Sequence, residues 1–250
     1  MPMIGGADGH GNWGNCDPLD PRNRRTRSSI VIQDTELHKN ILVDASPDLR
    51  AQSLACGISR IDGIIFTHAH ADHILGIDEL RVFNRISGAA LPAFGSVKTL
   101  QEIAHRFDYA VKPPTPPAFF RPALSPHVVV PGDRFNVAGF DVKSFDQDHE
   151  VTRTLGLRVG DFGYSTDVVR LDGAAFGALV GVKTWVVGCF QLEPHTTHAH
   201  LDLVLAWWER VRPERMVLTH LGPQIDFATI SARLPANVEI AYDGLTLDLA

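Results

Sequence analysis

No stretch of this 250-residue sequence comes near the run of about 20 apolar residues that a membrane-crossing helix needs. The first residues, Met1-Pro2-Met3-Ile4-Gly5-Gly6, lack the basic region and apolar core of a signal peptide, so a cytoplasmic location is the expectation. Cysteine is scarce. Cys16, Cys56 and Cys189 are scattered and odd in number, with no Cys-x-x-Cys pair, which argues against both a disulfide framework and a cysteine-based zinc site. Basic excess is also missing. A formal net charge of −6 speaks against nucleic acid as an obligate partner, because phosphate backbones are bound by basic surfaces. Repeats of solenoid type and the helical zinc motif H-E-x-x-H are absent as well.

What is present is an ordinary globular composition, 44% hydrophobic and 21% charged, long enough to bury a sizeable core. Gly and Asn dominate the first fifteen residues, a loop that leads into Cys16-Asp17-Pro18 and an arginine-rich run, Arg22 to Arg27. That run could contact a substrate phosphate or pair with local carboxylates, and the sequence does not choose between the two. Ile30–Ile32 and Ile41–Asp44 are spaced as a hairpin or meander. Ser46 and Pro47 predict a helix start, with Ser46 as N-cap, and Gly57 its stop. A buried strand is expected at 63–66, then a continuous helix over 74–85, a strand at 91–94 and a helix at 97–107. Residues 112–126 hold Pro113, Pro114, Pro116, Pro117, Pro122 and Pro126 with Phe119 and Phe120, and predict an ordered surface insertion or lid. Further strands are expected at 127–130, 134–145, 154–164, 184–188 and 215–219, helices near 173–180, 201–211 and 226–233, and a final strand pair at 237–241 and 245–249. Mixed elements with no break in composition predict one layered domain over residues 1–250.

The twelve histidines are unevenly spread. His68, His70, Asp72 and His73 fall within Thr67-His68-Ala69-His70-Ala71-Asp72-His73, directly after an apolar strand and before an amphipathic segment. Alternate positions of an extended loop face the same way, so His68 and His70 can share one ion. The turn into the helix can then send Asp72 and His73 to a second ion.

Thr-His-x-His-x-Asp-His resembles the signature of the metallo-β-lactamase superfamily. The resemblance implies an α+β fold, an αββα four-layer sandwich, and a metal-dependent hydrolase with two divalent ions per chain. It also supplies the remaining ligands. His149 in Asp146-Gln147-Asp148-His149 completes the first ion's histidine triplet with His68 and His70. Asp167 in Tyr164-Ser165-Thr166-Asp167 matches the carboxylate that bridges both ions. His220 in Leu218-Thr219-His220 joins Asp72 and His73 at the second ion. Two ions roughly 3.5–4 Å apart can hold a hydroxide as nucleophile and clamp phosphoryl oxygens. The mixed imidazole–carboxylate set suits zinc, manganese and iron and does not choose among them; zinc is the leading expectation, with manganese or iron as alternatives.

Within the superfamily the sequence is similar to the phosphoribosyl 1,2-cyclic phosphate phosphodiesterase-like group. Four segments carry that likeness: Trp13–Pro18, Arg24–Ser29, Asp44–Arg50 and Pro194–Leu201. The implied activity is hydrolysis of a small cyclic phosphodiester. Asp72 and Asp167 would serve the catalytic centre, and His198 would be the general acid on the leaving alkoxide, with His200 in reserve. The bland reading of His198 is a supporting residue at a helix start. His195 is expected to be structural or to lie at the rim. His10, His38, His105 and His127 fall outside any matching motif and are expected at the surface.

Two departures from the family pattern stand out. The expected first edge strand and its Gly-rich turn are missing or cut short at the start, and an exposed sheet edge there would invite pairing into a homodimer. Only Cys16 stands where some members carry cysteines for an additional structural zinc, so no third metal is expected. Among alternatives, Asp167 at the bridging position argues against a true β-lactamase. A helical C-terminal domain for a glyoxalase II-like thioesterase, a basic arm for a tRNA nuclease and a flavodoxin partner for a flavodiiron oxidoreductase are not evident. A non-hydrolytic cofactor-assembly protein, like the pyrroloquinoline-quinone B-type members, is the alternative of a different class. All seven ligands being present favours hydrolysis over it.

Overall fold

The computed structural model describes residues 12–112 and 123–249. Most of the Pro-rich insertion expected at 112–126, together with Phe119 and Phe120, lies outside the described residues, as do His10 and the start of the Gly/Asn-rich loop. The described chain divides into two compact units, Arg27–Ser144 and the described parts of Met1–Thr26 with Phe145–Ala250. No helix among the described residues is long and apolar enough to cross a membrane.

The Arg27–Ser144 unit is built on a five-stranded sheet, β1 (Ile30–Asp34), β2 (Lys39–Val43), β3 (Gly63–Ile65), β4 (Leu91–Gly95) and β5 (Leu124–Val128), in sequential order. β1 and β2 form the expected antiparallel hairpin, Ile30 opposite Val43, and β2 through β5 run parallel. β3 is buried at all three positions, as a central parallel strand must be. Helices α1 (Leu49–Ala55), α2 (Ala71–Ile74), α3 (Leu80–Ser87), α4 (Val97–Arg106) and α5 (Asp108–Val111) accompany the sheet. Leu42, Ile64, Phe66, Ile74, Ile77, Leu80 and Phe83 are central to one apolar core. The hairpin of β6 (Arg134–Val137) and β7 (Phe140–Asp148) turns at Ala138 and Gly139, both at positive φ, the two-residue loop whose twist suits paired strands.

Two expectations fail in this unit. The helix predicted from Ser46 begins at Leu49, with Asp48 as its N-cap; Ser46 Oγ accepts the Asp48 N–H (3.1 Å), closing a turn ahead of the helix. The continuous helix over 74–85 is broken into α2, a 3-10 turn at Ile77–Glu79, and α3. Gly76 is the cause: its N–H donates to Ala45 O (2.9 Å), and a Cβ there would lie 2.0 Å from Ser46 O. The backbone is pressed against the β2–α1 loop, and the helix gives way.

In the other unit, β8 (Arg153–Val159) pairs antiparallel with β9 (Phe162–Ser165). β9, β10 (Thr184–Gly188), β11 (Arg215–Thr219) and β12 (Val238–Ile240) run parallel through crossovers containing α6 (Gly173–Leu179), α7 (Leu201–Val211) and α8 (Phe227–Ser231). Asp172 and Asp226 cap α6 and α8 through their side chains. Trp185, Val187, Met216, Leu218, Leu179 and Val204 fill the core between strands and helices. The strand predicted at 245–249 does not form. After β12 the chain turns at Gly244 (φ +85°), and Asp243 accepts hydrogen bonds from Thr26 N–H (2.9 Å) and Thr26 Oγ (2.6 Å).

Candidate metal centre

In the Arg27–Ser144 unit the motif leaves β3 through Phe66 and Thr67 and enters α2, for which His70 is the N-cap in extended conformation (φ −68°, ψ 153°). From this cap the chain enters α2, so that Asp72 and His73 fall on its single turn. The His68 ring centroid lies 4.4 Å from that of His70 and 4.3 Å from that of His73. Asp72 Oδ2 is 3.6 Å from His73 Nε2.

Asp44 organises this loop from the neighbouring strand. It follows β2, sits fully buried in the left-handed region (φ +63°), and gives its backbone N–H to Ile65 O (2.9 Å). Its carboxylate accepts Thr67 N–H (2.8 Å), Thr67 Oγ–H (2.7 Å) and His73 Nδ1–H (2.7 Å). Thr67 Oγ is in turn 3.0 Å from His68 Nδ1. With the Thr67 hydroxyl proton committed to Asp44, His68 Nδ1 is the donor. Both rings therefore carry their lone pair on Nε2, the tautomer a metal ligand needs. Asp44 belongs to a segment singled out in the sequence, but nothing in residue type announced this bond to His73, which spans 29 positions.

In the second unit the candidate residues stand at strand ends. His149 follows β7, Asp167 follows β9 by two residues, and His220 follows β11 directly. Asp167 (φ +48°) and His220 (φ +54°) are both left-handed without being glycine, conformations that cost energy and cluster at functional sites. Asp167 is only 2% exposed. Its Oδ1 lies 3.0 Å from His220 Nε2, and its Oδ2 lies 3.5 Å from both His149 Nε2 and His198 Nε2. One carboxylate thus turns its two oxygens toward different imidazoles. Ligand atoms of Asp167, His198 and His220 all lie within 4.8 Å of one another. Thr166 Oγ donates to Asp167 Oδ1 (2.8 Å), and Thr154 Oγ donates to the Asp167 carbonyl (3.1 Å). His149 Nδ1–H donates to Thr197 O (2.6 Å), so the His149 lone pair is on Nε2 and faces the carboxylate. Lone pair against carboxylate is repulsive until a cation sits between them, and the donor set fits a divalent ion on that ground.

His200 does not join this group; it is the N-cap of α7 and forms an isolated bridge with Gln191. His195 lies beside His198, ring centroids 5.2 Å apart, and burial with the nearby His198 lowers its pKa. His38 sits in the β1–β2 turn, His105 in the last turn of α4, and His127 on exposed β5, stacked on Phe94 at 4.8 Å.

Cys189, at the end of β10, is buried, and its thiol is pushed up to about 12. Cys16 is also raised, chiefly by burial, while Cys56 is exposed.

The arginine run is used structurally where its contacts are seen. Arg22 pairs with Asp20 and lies over the Phe227 ring at 4.0 Å, and Arg27 faces Asp48 at 3.7 Å. Arg25 donates to Ile225 O (2.7 Å) and Gly222 O (3.3 Å). Asn15 N–H donates to Pro223 O (2.8 Å), and Asp226 accepts from Asp17 N–H (3.0 Å) and Asn23 Nδ2 (2.8 Å). The segment from Trp13 to Thr26 therefore straps the loop that follows His220.

Comparison with known proteins agrees with this architecture. A crystal structure of a diphosphatase from the PhnP family is 31% identical, with a TM-score of 0.84 over 93% of this chain and 88% of that one. Zn²⁺-bound PqqB from Methylobacterium extorquens, at 19% identity, shares the fold with a TM-score of 0.70 over 90% of this chain and 88% of that one. A protein of Porphyromonas gingivalis named octanoyltransferase is 28% identical over 92% of this chain but only 46% of its own length. The chain spans about half the length of the curated relatives it matches. The beta-lactamase superfamily domain matches residues 39–221, and with two sheets, flanking helices and these relatives, the chain belongs to the beta-lactamase superfamily and has its metallo-β-lactamase fold.

Proposed function

We propose that this chain is a dinuclear metal-dependent hydrolase of small phosphodiesters, with a ribose 1,2-cyclic phosphate as the leading substrate class. His68, His70 and His149 are the proposed ligands of one divalent ion, and Asp72, His73 and His220 those of the other, with Asp167 shared. The observation that carries the reading is Asp167 itself, a buried carboxylate whose Oδ1 faces His220 while its Oδ2 faces His149 and His198. When bound, two divalent ions supply Lewis-acid charge to phosphate oxygens and make a water acidic near neutral pH. The chain's own groups do the rest. Asp44, Thr67 and Thr197 hold the ligand tautomers, and His198 Nε2, beside Asp167, is the proposed proton donor to the departing alkoxide. Zinc is the leading metal, with manganese and iron as alternatives. The setting proposed is cytoplasmic, with a small-molecule substrate.

A second reading, cleavage of a diphosphate bond, is favoured by one observation: the 31% identical relative is named a diphosphatase. The same donor set would serve either phosphoryl centre. Transfer of an acyl group gains little support from the octanoyltransferase relative, of which this chain matches less than half.

The test is turnover of a panel, with metal content measured on the same batch: a ribose 1,2-cyclic phosphate, a 2′,3′-cyclic nucleotide, a dinucleoside diphosphate, an aryl phosphodiester, a thioester and a β-lactam. Turnover confined to phosphodiesters with two metals per chain supports the leading reading. Preference for the dinucleoside diphosphate moves it to the second. Metal without phosphoryl turnover removes both, and leaves the thioesterase and cofactor-assembly alternatives.

A further inference from the structure

We infer that Thr197 is a positioning residue that sets two imidazoles at once, His149 through its carbonyl and His198 through its hydroxyl; this rests on the function proposed above. The carbonyl accepts His149 Nδ1–H at 2.6 Å, and Oγ1 lies 2.8 Å from His198 Nδ1. A carbonyl can only accept, so it selects a single His149 tautomer, the one with the lone pair on Nε2. The ring of His198 is held differently. It lies between Phe190 (centroids 4.8 Å, planes at 30°) and His220 (5.1 Å, 17°). Stacking of that kind fixes the plane of a ring but not which nitrogen stands at which end. The Thr197 hydroxyl, which also reaches His195 Nδ1 (3.3 Å), is the nearer partner of His198 Nδ1, with His195 Nδ1 at 3.4 Å, and it keeps Nδ1 toward the loop and Nε2 toward Asp167 Oδ2 at 3.5 Å.

The loop is fixed well enough to act in this way. Thr197 N–H donates to His195 Nδ1 (3.2 Å), Ala199 N–H to Val168 O (2.7 Å), and Phe190 N–H to Ala199 O (2.9 Å). The Thr197–Ala199 turn is thereby tied to the residue after Asp167 and to the strand end between β9 and β11. The orientation of a metal ligand and that of the proposed proton donor are coupled through one residue, whose side chain touches neither phosphate nor metal in this assignment.

Thr197→Val keeps the β-branched shape and the carbonyl while removing the hydroxyl; Thr197→Ser keeps both polar groups. With the cyclic phosphate and zinc, the valine variant is expected to bind metal as wild type does, with KM unchanged and kcat lower by about tenfold or more, the range seen when a partner that orients an active-site group is removed. The serine variant is expected to recover most of that loss. Combined with His198→Ala, the valine change should add nothing, because it acts through His198. An independent readout uses the metal-free protein with 15N-labelled imidazoles, His149 and His198 being assigned by their single substitutions. Thr197→Val should alter the His198 tautomer ratio and leave His149 as the Nδ1–H form. Wild-type kcat in the valine variant, an additive loss in the double variant, loss of metal, or an unchanged His198 spectrum overturns the inference. If the wild-type protein hydrolyses no phosphodiester, the functional reading fails and the spectra alone decide the role of Thr197.

Discussion

The His68–His73 loop and the strand ends of the second unit assemble the same kind of donors by opposite routes. In the loop, three imidazoles and a carboxylate come from six consecutive residues, and a strand, a one-turn helix and Asp44 set their directions. In the second unit, Asp167 and His220 follow parallel strands held in register, Ser165 opposite Val187 and Gly188 opposite Thr219, while His149 follows β7, which pairs antiparallel with β6. A contiguous motif is local chain geometry held by one buried carboxylate. A dispersed set depends on the whole sheet, and its support comes from backbone carbonyls and hydroxyls such as those of Thr197, Thr154 and Thr166.

That contrast can be broken at several points. The largest effect is expected at Asp167, where both routes are proposed to meet: Asp167→Ala should lose metal and phosphodiester turnover together, read by elemental analysis and initial rates. His198→Ala should separate the two, lowering turnover by about 10²–10⁴ as for a lost general acid while metal content is kept. Metal loss in that variant would instead make His198 a ligand, an assignment its position near Asp167 and His220 also permits. Asp44→Asn should weaken metal affinity by about 10–100-fold, the usual cost of removing a carboxylate behind a ligating histidine, with the sheet still folded by circular dichroism.

The smallest effect concerns the strap near His220. Burial works against the charge of Asp226, but hydrogen bonds from Thr229, Asp17 and Asn23 prevail and hold its carboxyl well below the usual range. A depressed folded-state pKa contributes stability that is fully present above the ordinary carboxylate value of about 4 and is lost as pH falls through the folded value. Acid unfolding followed by tryptophan fluorescence should therefore show a limb below about pH 4 that Asp226→Asn flattens, at some loss of stability near neutral pH.

How much of this was legible in sequence follows the same contrast. The motif loop, the hairpin of Ile30–Val43, the strand at Gly63–Ile65 and the crossovers of the second half are written in local patterns, and they form as the patterns predict. The break at Gly76 was not visible, because helical spacing continues through it while the Gly76 N–H bonds to Ala45 O in the distant β2–α1 loop. The missing strand at 245–249 was not visible either, nor was the bond of nearby Asp243 to Thr26 across 217 positions. His149, Asp167 and His220 could be named only through resemblance, since each lies alone at the end of its strand. The support of His149 by Thr197 is a backbone group, which residue type does not encode.

The most direct test of the central claim is titration of zinc into metal-free protein, following phosphodiester turnover and bound metal together. The account predicts that turnover reaches its maximum at two equivalents in the wild type, and that Asp167→Ala shows neither tight uptake nor activity. Full turnover at one equivalent, or undiminished uptake of two ions by Asp167→Ala, would contradict it.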